Sequence, residues 1–366
     1  GLQPGDARAV YRNTQHDLRN YKRLQMWVHA ESLIDNVTNL RSGELSIFLR
    51  LGSDIKNNYY EYEIPLTLTP HRKYDQENVE DRYAVWPLSN RFDFALQELV
   101  NLKKERNRAK HDPSSGVGYT TLFTGRDPDN EANRMAVMGN PSLSDVRVML
   151  IGVRNNASTA RDGIVWVNEL KVTDFDESGG WAAKANVNIG VSDIATLNFG
   201  THIETAGFGG VDQPLNARRM DDYRQFNFAV QADMGRFFPE KLKLKAPVYY
   251  SVSNETTLPK YNPLDQDVLL KDALDEAVTK TERDSIRDYA IEKSTIKSFS
   301  ISGLQFDRRS EKSKPWDPGN FVFNFSFNKR HNSDPTTEYE NTNDYRGSLQ
   351  YTWTPYFTVS YTHLTL

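Results

Sequence analysis

Two acidic clusters hold the residues of this sequence whose types and spacing best suit chemistry. Asp174, Asp176 and Glu177 stand together in the segment DFDES, and the segment DPDNE runs from Asp127 to Glu131. Carboxylates this close together can bind Ca²⁺, but neither segment has the glycine and the ligand spacing of an EF-hand loop. The alternative interpretation, a solvated turn, suits both segments better. Pairs of carboxylates also serve glycoside hydrolases, yet no sequence spacing reports the separation that this reaction requires.

Other catalytic and metal-binding patterns are missing from the sequence. The chain has no cysteine, which excludes disulfides, thiolate metal sites and a cysteine nucleophile. None of the seven histidines has a histidine partner at zinc-ligand spacing. No phosphate-cradling Gly-Lys-Ser/Thr loop occurs, and GFGG at Gly207–Gly210 opens no predicted helix. We therefore expect no enzyme activity, no cofactor and no metal site.

The composition describes a polar chain that is nevertheless rich in aromatic residues. Of its 366 residues, 38% are hydrophobic and 11% aromatic, and the net charge is −4 at pH 7. This charge provides no positive field for nucleic acid, so we expect no nucleic-acid partner. No run of about 18 apolar residues exists, so the sequence predicts no transmembrane helix.

The two ends of the chain suggest part of a longer protein. The chain begins with Gly1 and carries no signal peptide, so we expect an internal fragment. The last residues, VSYTHLTL, resemble one reading frame of a translated sequencing adapter. We therefore expect residues 358–366 to be an artefact. The alternative is a genuine strand, because Val359, Tyr361 and His363 alternate.

Residues 1–176 predict a β-sandwich-like domain with one accessory helix. In RLQMWVHAE the alternate residues from Leu24 to Ala30 are apolar, and ELSIFLRLG repeats this strand pattern. The segment SNRFDFALQELVNLKKERNRAK predicts the helix, with Ser89 as a candidate N-cap. We expect the strands to close over a core that includes Leu24, Val28, Leu49, Val148, Leu150 and Ile164.

From Trp181 onward the sequence alternates over unusually long stretches. The segment WAAKANVNIGV opens a series of seven candidate strands that extends to Trp353. Strands of soluble proteins usually have about 5–6 residues. About 11 residues at roughly 3.3 Å each, tilted near 40°, rise about 25–28 Å, which matches the apolar band of an outer-membrane barrel. A large soluble β-sandwich or lipocalin-like barrel is the alternative.

The alternation gives each of these strands one polar and one apolar face. The polar residues suit a water-filled lumen, and the apolar residues suit contact with lipid. KLKLKAPVYYSVS is expected to form one strand that begins near Leu242. The lumen-facing candidates are Lys184, Asn186, Asn188, Lys243 and Lys245. The lipid-facing candidates are Val187, Ile189, Leu197, Phe199, Leu242, Leu244, Phe323 and Phe325.

Short and long connections alternate between the candidate strands, as they do in outer-membrane barrels. If the short turns are periplasmic, residues 1–176 form an extracellular cap domain. The insertion near 255–297 has helical spacing, with Val268, Leu269, Ala273 and Leu274 toward one face, and predicts an extracellular helix. HNSDPTTEYENTND is expected to be a further loop.

Seven strands cannot close a barrel of this kind. Bacterial single-chain barrels have even strand numbers, and lipid does not tolerate an open sheet edge. The sequence therefore predicts a mainly β protein in which residues 177–357 are about seven antiparallel strands of a larger transmembrane β-barrel.

Several long motifs are similar to those of a known family, the SprA/Sov family of giant outer-membrane translocons from the Bacteroidetes type IX secretion system. The resemblance covers nearly all of Gly1 to Phe357. The motifs that carry it are GLQPGDAR, VWVNELKVTDFDESGGWAA, VSDIATLNFGTHIETAGFGGVDQPLNARRMDDY, GRFFPEK, YYSVSNETTLPKYNPLDQDVLLKDAL and DPTTEYENTNDYRGSLQYTWTPY. The adapter-like tail departs from the family pattern.

This resemblance implies a very large single-chain barrel with an extracellular cap and lateral openings. It implies protein secretion and a link to gliding motility. The implied partners are secreted cargo proteins, a smaller outer-membrane barrel that receives cargo, a periplasmic plug protein and the lipid bilayer. We therefore expect part of a protein-conducting channel in the bacterial outer membrane. The alternatives are a surface-exposed or secreted glycan-binding β-sandwich and a surface hydrolase.

Overall fold

A computed structural model describes residues 1–355 except positions 215–216, 278, 309 and 312–313. The chain divides into two compact units. Unit 1 comprises Gly1–Glu177 and the short segment Leu264–Leu269, and unit 2 comprises Ser178–Pro263 and the chain from Leu270 onward. The expected artefact at 358–366 lies outside the described residues. The assignment of the two halves to a cap and to a partial barrel stays a prediction.

Unit 1 contains two antiparallel sheets. The strands of the six-stranded sheet follow the order β1-β8-β3-β4-β7-β6, and those of the three-stranded sheet follow the order β5-β2-β9. The strands are β1 (Ala7–His16), β2 (Tyr21–Glu31), β3 (Leu45–Gly52), β4 (Tyr59–Pro65), β5 (Phe92–Ala95), β6 (Phe123–Asp127), β7 (Asn130–Met138), β8 (Val146–Asn155) and β9 (Ile164–Phe175). The helices are α1 (Val79–Val85) and α2 (Leu96–Lys110).

Alternation along the strands builds the core of unit 1. On β2 the even-numbered residues from Leu24 to Ala30 are buried. On β3 the alternate residues Ile47, Leu49 and Leu51 are also buried. Successive side chains point to opposite faces of a strand, so one face of each sheet becomes apolar. The Tyr62 ring on β4 stacks on the Phe94 ring on β5, with centroids 3.9 Å apart, so the two sheets meet face to face. A mainly β fold of antiparallel sheets is confirmed.

Two of the six predicted core residues are less buried than expected. Leu24, Val28, Leu49 and Leu150 are buried. Val148 is only half-buried, because it lies near the end of the ladder between β3 and β8. Ile164 is 37% exposed, because it opens β9, which is an edge strand.

The predicted accessory helix begins later than its apolar spacing suggested. Residues Phe92–Ala95 form β5, which pairs with β2, and α2 starts at Leu96. Phe92 and Phe94 are both buried, and pairing with β2 is what places them in the core. Ser89 is therefore not the N-cap. Ala95 occupies that position without a side-chain hydrogen bond.

Unit 2 is dominated by one antiparallel sheet in which consecutive long strands lie side by side. Its order is β10-β11-β12-β14-β17-β18-β19, and β13 pairs with the end of β17. The strands from the second half of the chain are β10 (Ala182–Val191), β11 (Ala195–Glu204), β12 (Asp221–Asp233), β13 (Leu244–Lys245), β14 (Pro247–Pro259), β15 (Tyr261–Asn262), β16 (Asp265–Leu269), β17 (Glu292–Phe306), β18 (Phe321–Asp334) and β19 (Thr337–Tyr351). The helices are α3 (Leu270–Glu276) and α4 (Lys280–Ala290).

One predicted loop is a hairpin instead. The segment HNSDPTTEYENTND belongs to the paired ends of β18 and β19, which are joined across Pro335 and Thr336. The Asp334 carboxylate accepts hydrogen bonds from the backbone N–H groups of Thr336 and Thr337, at 2.7 and 2.8 Å. An Asp-Pro pair favours a tight turn for this reason, so no loop is needed here.

The predicted helical insertion is shorter and only partly helical. It lies between β14 and β17, and its first segment forms strands rather than a helix. Val268 and Leu269 lie on β16, whereas Ala273 and Leu274 lie on α3. Thr279 caps α4 by accepting a hydrogen bond from the Glu282 backbone N–H.

Candidate functional site

The cross-strand register of the unit 2 sheet places one continuous apolar row across all seven long strands. Directly opposite residues of an antiparallel pair lie on the same face. The row consists of Ile189, Leu197, Val230, Tyr250, Phe299, Phe327 and Tyr345. The Phe327 and Tyr345 rings stack with centroids 4.7 Å apart, which shows that these side chains contact each other across the row. We call this side of the sheet the apolar face.

The opposite side of the same sheet is polar. Its central row consists of Asn188, Asn198, Ala229, Ser251, Ser298, Asn328 and Asp344. Cross-strand hydrogen bonds link side chains on this face. The Ser253 hydroxyl donates to Asn227 Oδ1 at 2.6 Å, and the Gln225 amide donates to Glu255 Oε1 at 2.8 Å. We call this side the polar face.

The apolar band is not perpendicular to the strands but drifts along them. One row away from the central row, Val187 and Phe199 begin a row that ends in Lys297, Lys329 and Asn343 on the last three strands. On the opposite side of the central row, the apolar band continues on β17, β18 and β19. It passes through Phe325 in the next row and through Leu304, Phe323 and Leu349 in the row after that. The centre of the band therefore moves by about five residues across the seven strands, or roughly one residue per strand.

None of the described side chains on these seven long strands is buried. On the apolar face Val187, Phe323 and Leu349 are 52%, 40% and 66% exposed. The strands of unit 1 bury their apolar faces against each other, whereas this sheet is a single layer whose described side chains all remain at least partly exposed on both faces. In general, large exposed apolar surfaces are sites where proteins contact other proteins, ligands or membranes.

Most of the predicted face residues lie where the alternation placed them. Lys184, Asn186 and Asn188 are on the polar face of β10. The others are on the apolar face, namely Val187, Ile189, Leu197, Phe199, Phe323 and Phe325. Whether these faces meet water and lipid stays a prediction.

Four predicted residues lie outside the long strands. The expected strand from Leu242 is interrupted, because a 3-10 turn ends at Leu242 and Lys243 adopts a left-handed φ of 46°. Leu244 and Lys245 form the short strand β13, and β14 begins only at Pro247. Lys245 pairs with Asp307 at 3.1 Å. These four residues therefore belong to the connection between β12 and β14, which includes the short strand β13.

Unit 1 contains a buried ion cluster that the sequence patterns did not predict. The Lys103 ammonium on α2 contacts Asp265 and Asp267 on β16, and it donates to the Pro141 carbonyl at 2.9 Å. The Tyr60 hydroxyl donates to Asp267 Oδ2 at 2.7 Å. Burial raises the pKa of Asp265, and the Lys103 charge opposes that shift. The Asp-Gln-Asp spacing was the available signal, since it places two carboxylates on one side of a strand.

A second charged network covers the side of the six-stranded sheet that faces away from the core. Glu61 and Glu63 on β4 are buried, and each is paired with Arg134 on β7 and Arg154 on β8. Burial raises the pKa of Glu63, but a hydrogen bond from Ser46 and the two arginine charges outweigh it and hold this pKa below its ordinary value. These charges are mutually compensated, so the network reads as a structural feature of the sheet.

The residues of the two acidic clusters considered for Ca²⁺ lie in different local settings. Asp127 is buried and accepts a hydrogen bond from the Tyr62 hydroxyl, while Asp129 lies in the adjoining turn. Asp174 lies on β9 with a left-handed φ of 56°. Across the described parts of the chain, no group of three or more His, Asp or Glu side chains is arranged to hold a metal ion. No helix among the described residues is long and apolar enough to cross a lipid bilayer.

The fold defines a mainly β protein of antiparallel sheets, one of which is a long-stranded single layer with unlike faces. A family model for SprA N-terminal regions, described as motility related/secretion protein, matches residues 1–274. The chain belongs to this family, which confirms the resemblance seen in its motifs and connects it with secretion and motility. No curated protein matches the chain.

Proposed function

We propose that unit 2 forms part of the wall of a protein-conducting channel in the bacterial outer membrane, used for type IX secretion and linked to gliding motility. The observation that carries this proposal is the seven-stranded single layer, whose apolar face has no covering layer in the described structure. In water that face would favour aggregation, whereas in lipid it would be solvated.

The length of the strands supports a membrane-spanning role. The seven long strands contain 10 to 15 residues each. At roughly 3.3 Å per residue and a tilt near 40°, they would rise about 25–38 Å, enough for the ~25 Å apolar band of an outer-membrane barrel. The longest strands are β17, β18 and β19, and the apolar band on them gives way to polar residues at Lys297, Lys329 and Asn343.

The oblique apolar band supports a tilted, barrel-like arrangement. A membrane band is level with the bilayer, so it crosses tilted strands obliquely. A drift of about five residues of ~3.3 Å across six strand spacings of ~4.8 Å corresponds to a tilt of about 30°, near the 35–45° typical of barrels. In a flat soluble sheet, no bilayer plane would require the apolar residues to shift by a constant amount from one strand to the next.

The sheet edges support membership in a larger barrel. Within the described residues, β10 and β19 each have one unpaired edge. Unpaired backbone groups are costly in lipid, so neighbouring strands would have to complete the wall. The polar face, with Lys184, Asn186 and Asn188, would line a lumen that lowers the cost of passing hydrophilic cargo.

The remaining parts of the proposal concern topology and partners. The 16-position connection at 205–220 and the insertion between β14 and β17 would be extracellular, and unit 1 would form a cap outside the cell. Secreted cargo proteins, a smaller barrel and a periplasmic plug protein would be the partners. The mechanism is conduction through a polar lumen, and no step in it requires catalysis.

Cysteine labelling tests this proposal directly, because the chain has no cysteine of its own. Asn198→Cys and Phe199→Cys place single thiols on opposite faces of β11, and both sites lie near the middle of that strand. A water-soluble maleimide should label the Asn198→Cys variant in outer membranes and spare the Phe199→Cys variant. A lipid-soluble maleimide should label the latter. Equal labelling of both by the water-soluble reagent would overturn the membrane proposal and leave the family membership intact.

A further inference from the structure

An aromatic groove lies on the outer side of the three-stranded sheet of unit 1. Trp27 on β2 and Trp86 at the end of α1 are half-buried in it, and Tyr83 on α1 is 54% exposed. Trp27 points away from the core, because the buried even-numbered residues of β2 occupy the other face. The His29 ring nitrogen Nδ1 lies 2.7 Å from the Val85 carbonyl and anchors the end of α1 on β2.

Polar side chains form the rim of this groove. Asn168 and Glu169 come from β9, and Arg82 comes from α1. The ladder between β2 and β9 slips at this point, since Gln25 pairs with Lys171 but Trp27 pairs with Asn168. Bulges of this kind redirect side chains and are frequent beside functional sites. Glu169 adopts a φ of 55°, a left-handed conformation that residues other than glycine rarely take.

The chemistry of the groove selects among possible ligands. Indole and phenol rings offer flat apolar surfaces, and Asn, Glu and Arg offer planar hydrogen-bonding groups around them. A sugar ring matches both, because its C–H face is apolar and its hydroxyls project from the rim. A quaternary ammonium ion matches less well, because Arg82 lines the groove and the Arg91 guanidinium already lies 4.8 Å from the Trp27 ring centroid.

We propose that this groove binds a neutral saccharide of two or three sugar units. Trp27 and Trp86 stack against the sugar rings, and Asn168, Glu169 and Arg82 take the hydroxyls. The volume of about 610 Å³ falls within the range of small-ligand pockets. All the residues belong to unit 1, so this activity is independent of the proposed conduction by unit 2.

Titration of the full chain in detergent tests the proposal. The probes are chitotriose, maltotriose and xylotriose, each added to millimolar concentration, with tetramethylammonium chloride as a fourth probe. Tryptophan fluorescence and calorimetry should show saturable binding of at least one trisaccharide. Trp27→Ala should weaken that binding by at least roughly tenfold, a change that both methods resolve. Trp316→Ala is the matched control, since Trp316 is 71% exposed and lies outside the groove.

Tyr83→Ser keeps the test valid if the Trp27 variant folds poorly, because the Tyr83 side chain is largely exposed. It should weaken saccharide binding while leaving the thermal unfolding of the chain unchanged. The proposal fails if no trisaccharide binds at millimolar concentration. It also fails if Tyr83→Ser and Trp316→Ala bind the sugar equally well, or if tetramethylammonium saturates the groove and no trisaccharide does.

Discussion

Lys103 and Asp267 form an ion pair of 2.5 Å in which the two side chains are 0% and 1% exposed, although the residues are 164 positions apart. The Lys103 ammonium is surrounded by Asp265, Asp267 and the Pro141 carbonyl. A buried charge is tolerated only when its partners are in place. This pair therefore fixes β16 within unit 1, where Asp267 also accepts from the Leu143 backbone N–H at 2.9 Å.

Removing one partner of this pair should destabilise unit 1. Asp267→Ala is expected to cost about 3–5 kcal/mol, because it leaves the buried Lys103 charge incompletely compensated. Hydrogen exchange of α2 in the full chain should report the loss. Asp284→Asn, an exposed site on α4, is the matched control and should leave α2 unchanged. If the effects of Lys103→Met and Asp267→Ala are fully additive in the double variant, the pair is not coupled as the structure indicates.

The pair of Glu44 and Arg161 should make unit 1 less stable in acid. Arg161 donates two hydrogen bonds of 2.7 Å to the Glu44 carboxylate, and they lower its pKa to about 2. The folded-state pKa lies below the unfolded value of about 4.3, so this stabilisation is complete above that value. It is lost as the pH falls from about 4.3 toward about 2.

Glu44→Gln should therefore reduce the dependence of the melting temperature on pH within this window. Thermal unfolding of the full chain between pH 5 and pH 2 measures the effect. Glu131→Gln, an exposed glutamate of the same unit, should retain the dependence of the unsubstituted chain. An unchanged pH profile for Glu44→Gln would show that other carboxylates dominate acid unfolding.

Charges placed on the apolar face of unit 2 should be costly in a membrane. Val187→Arg and Phe323→Arg are each expected to cost about 2–4 kcal/mol near the bilayer midplane, because arginine loses its hydration there. Asn188→Arg, next to Val187 on the polar face, should have a small effect. The measurement is the yield of folded protein in outer membranes. Equal tolerance at the three sites would count against a lipid-facing surface.

The proposed topology predicts where inserted tags can be reached. A tag in DPSSGVG, between α2 and β6, should be labelled by antibody on intact cells. A tag in GRFFPEK, in the turn between β12 and β14, should be labelled only after the outer membrane is opened. The reversed pattern would invert the topology without affecting the arrangement of the strands.

The sequence alone determined which residues share a face of the long strands. Side chains alternate with a period of two, and this local rule does not depend on distant contacts. Alternate residues from Leu24 to Ala30 are therefore buried as predicted, and Val187 shares a face with Phe199. The sequence motifs also predicted the family membership, because they are long and specific.

Local patterns could not decide where elements begin and end. The apolar spacing of Phe92 suits a helix, but pairing with β2 makes this segment a strand. The same limit applies to KLKLK, where Lys243 turns the chain before the alternation can continue. In both places a backbone partner or a turn conformation overrides a side-chain pattern.

Only the tertiary structure decided which distant residues meet. Val268 and Leu269 fit a helical repeat, yet they lie on strand β16, whose Asp265 and Asp267 meet Lys103 in the interior of unit 1. Likewise, the aromatic groove combines Trp27 with Trp86 from another part of the chain. Such contacts depend on how distant segments pack and on the free energy of burying charged groups. Neither factor produces a periodic pattern in the sequence.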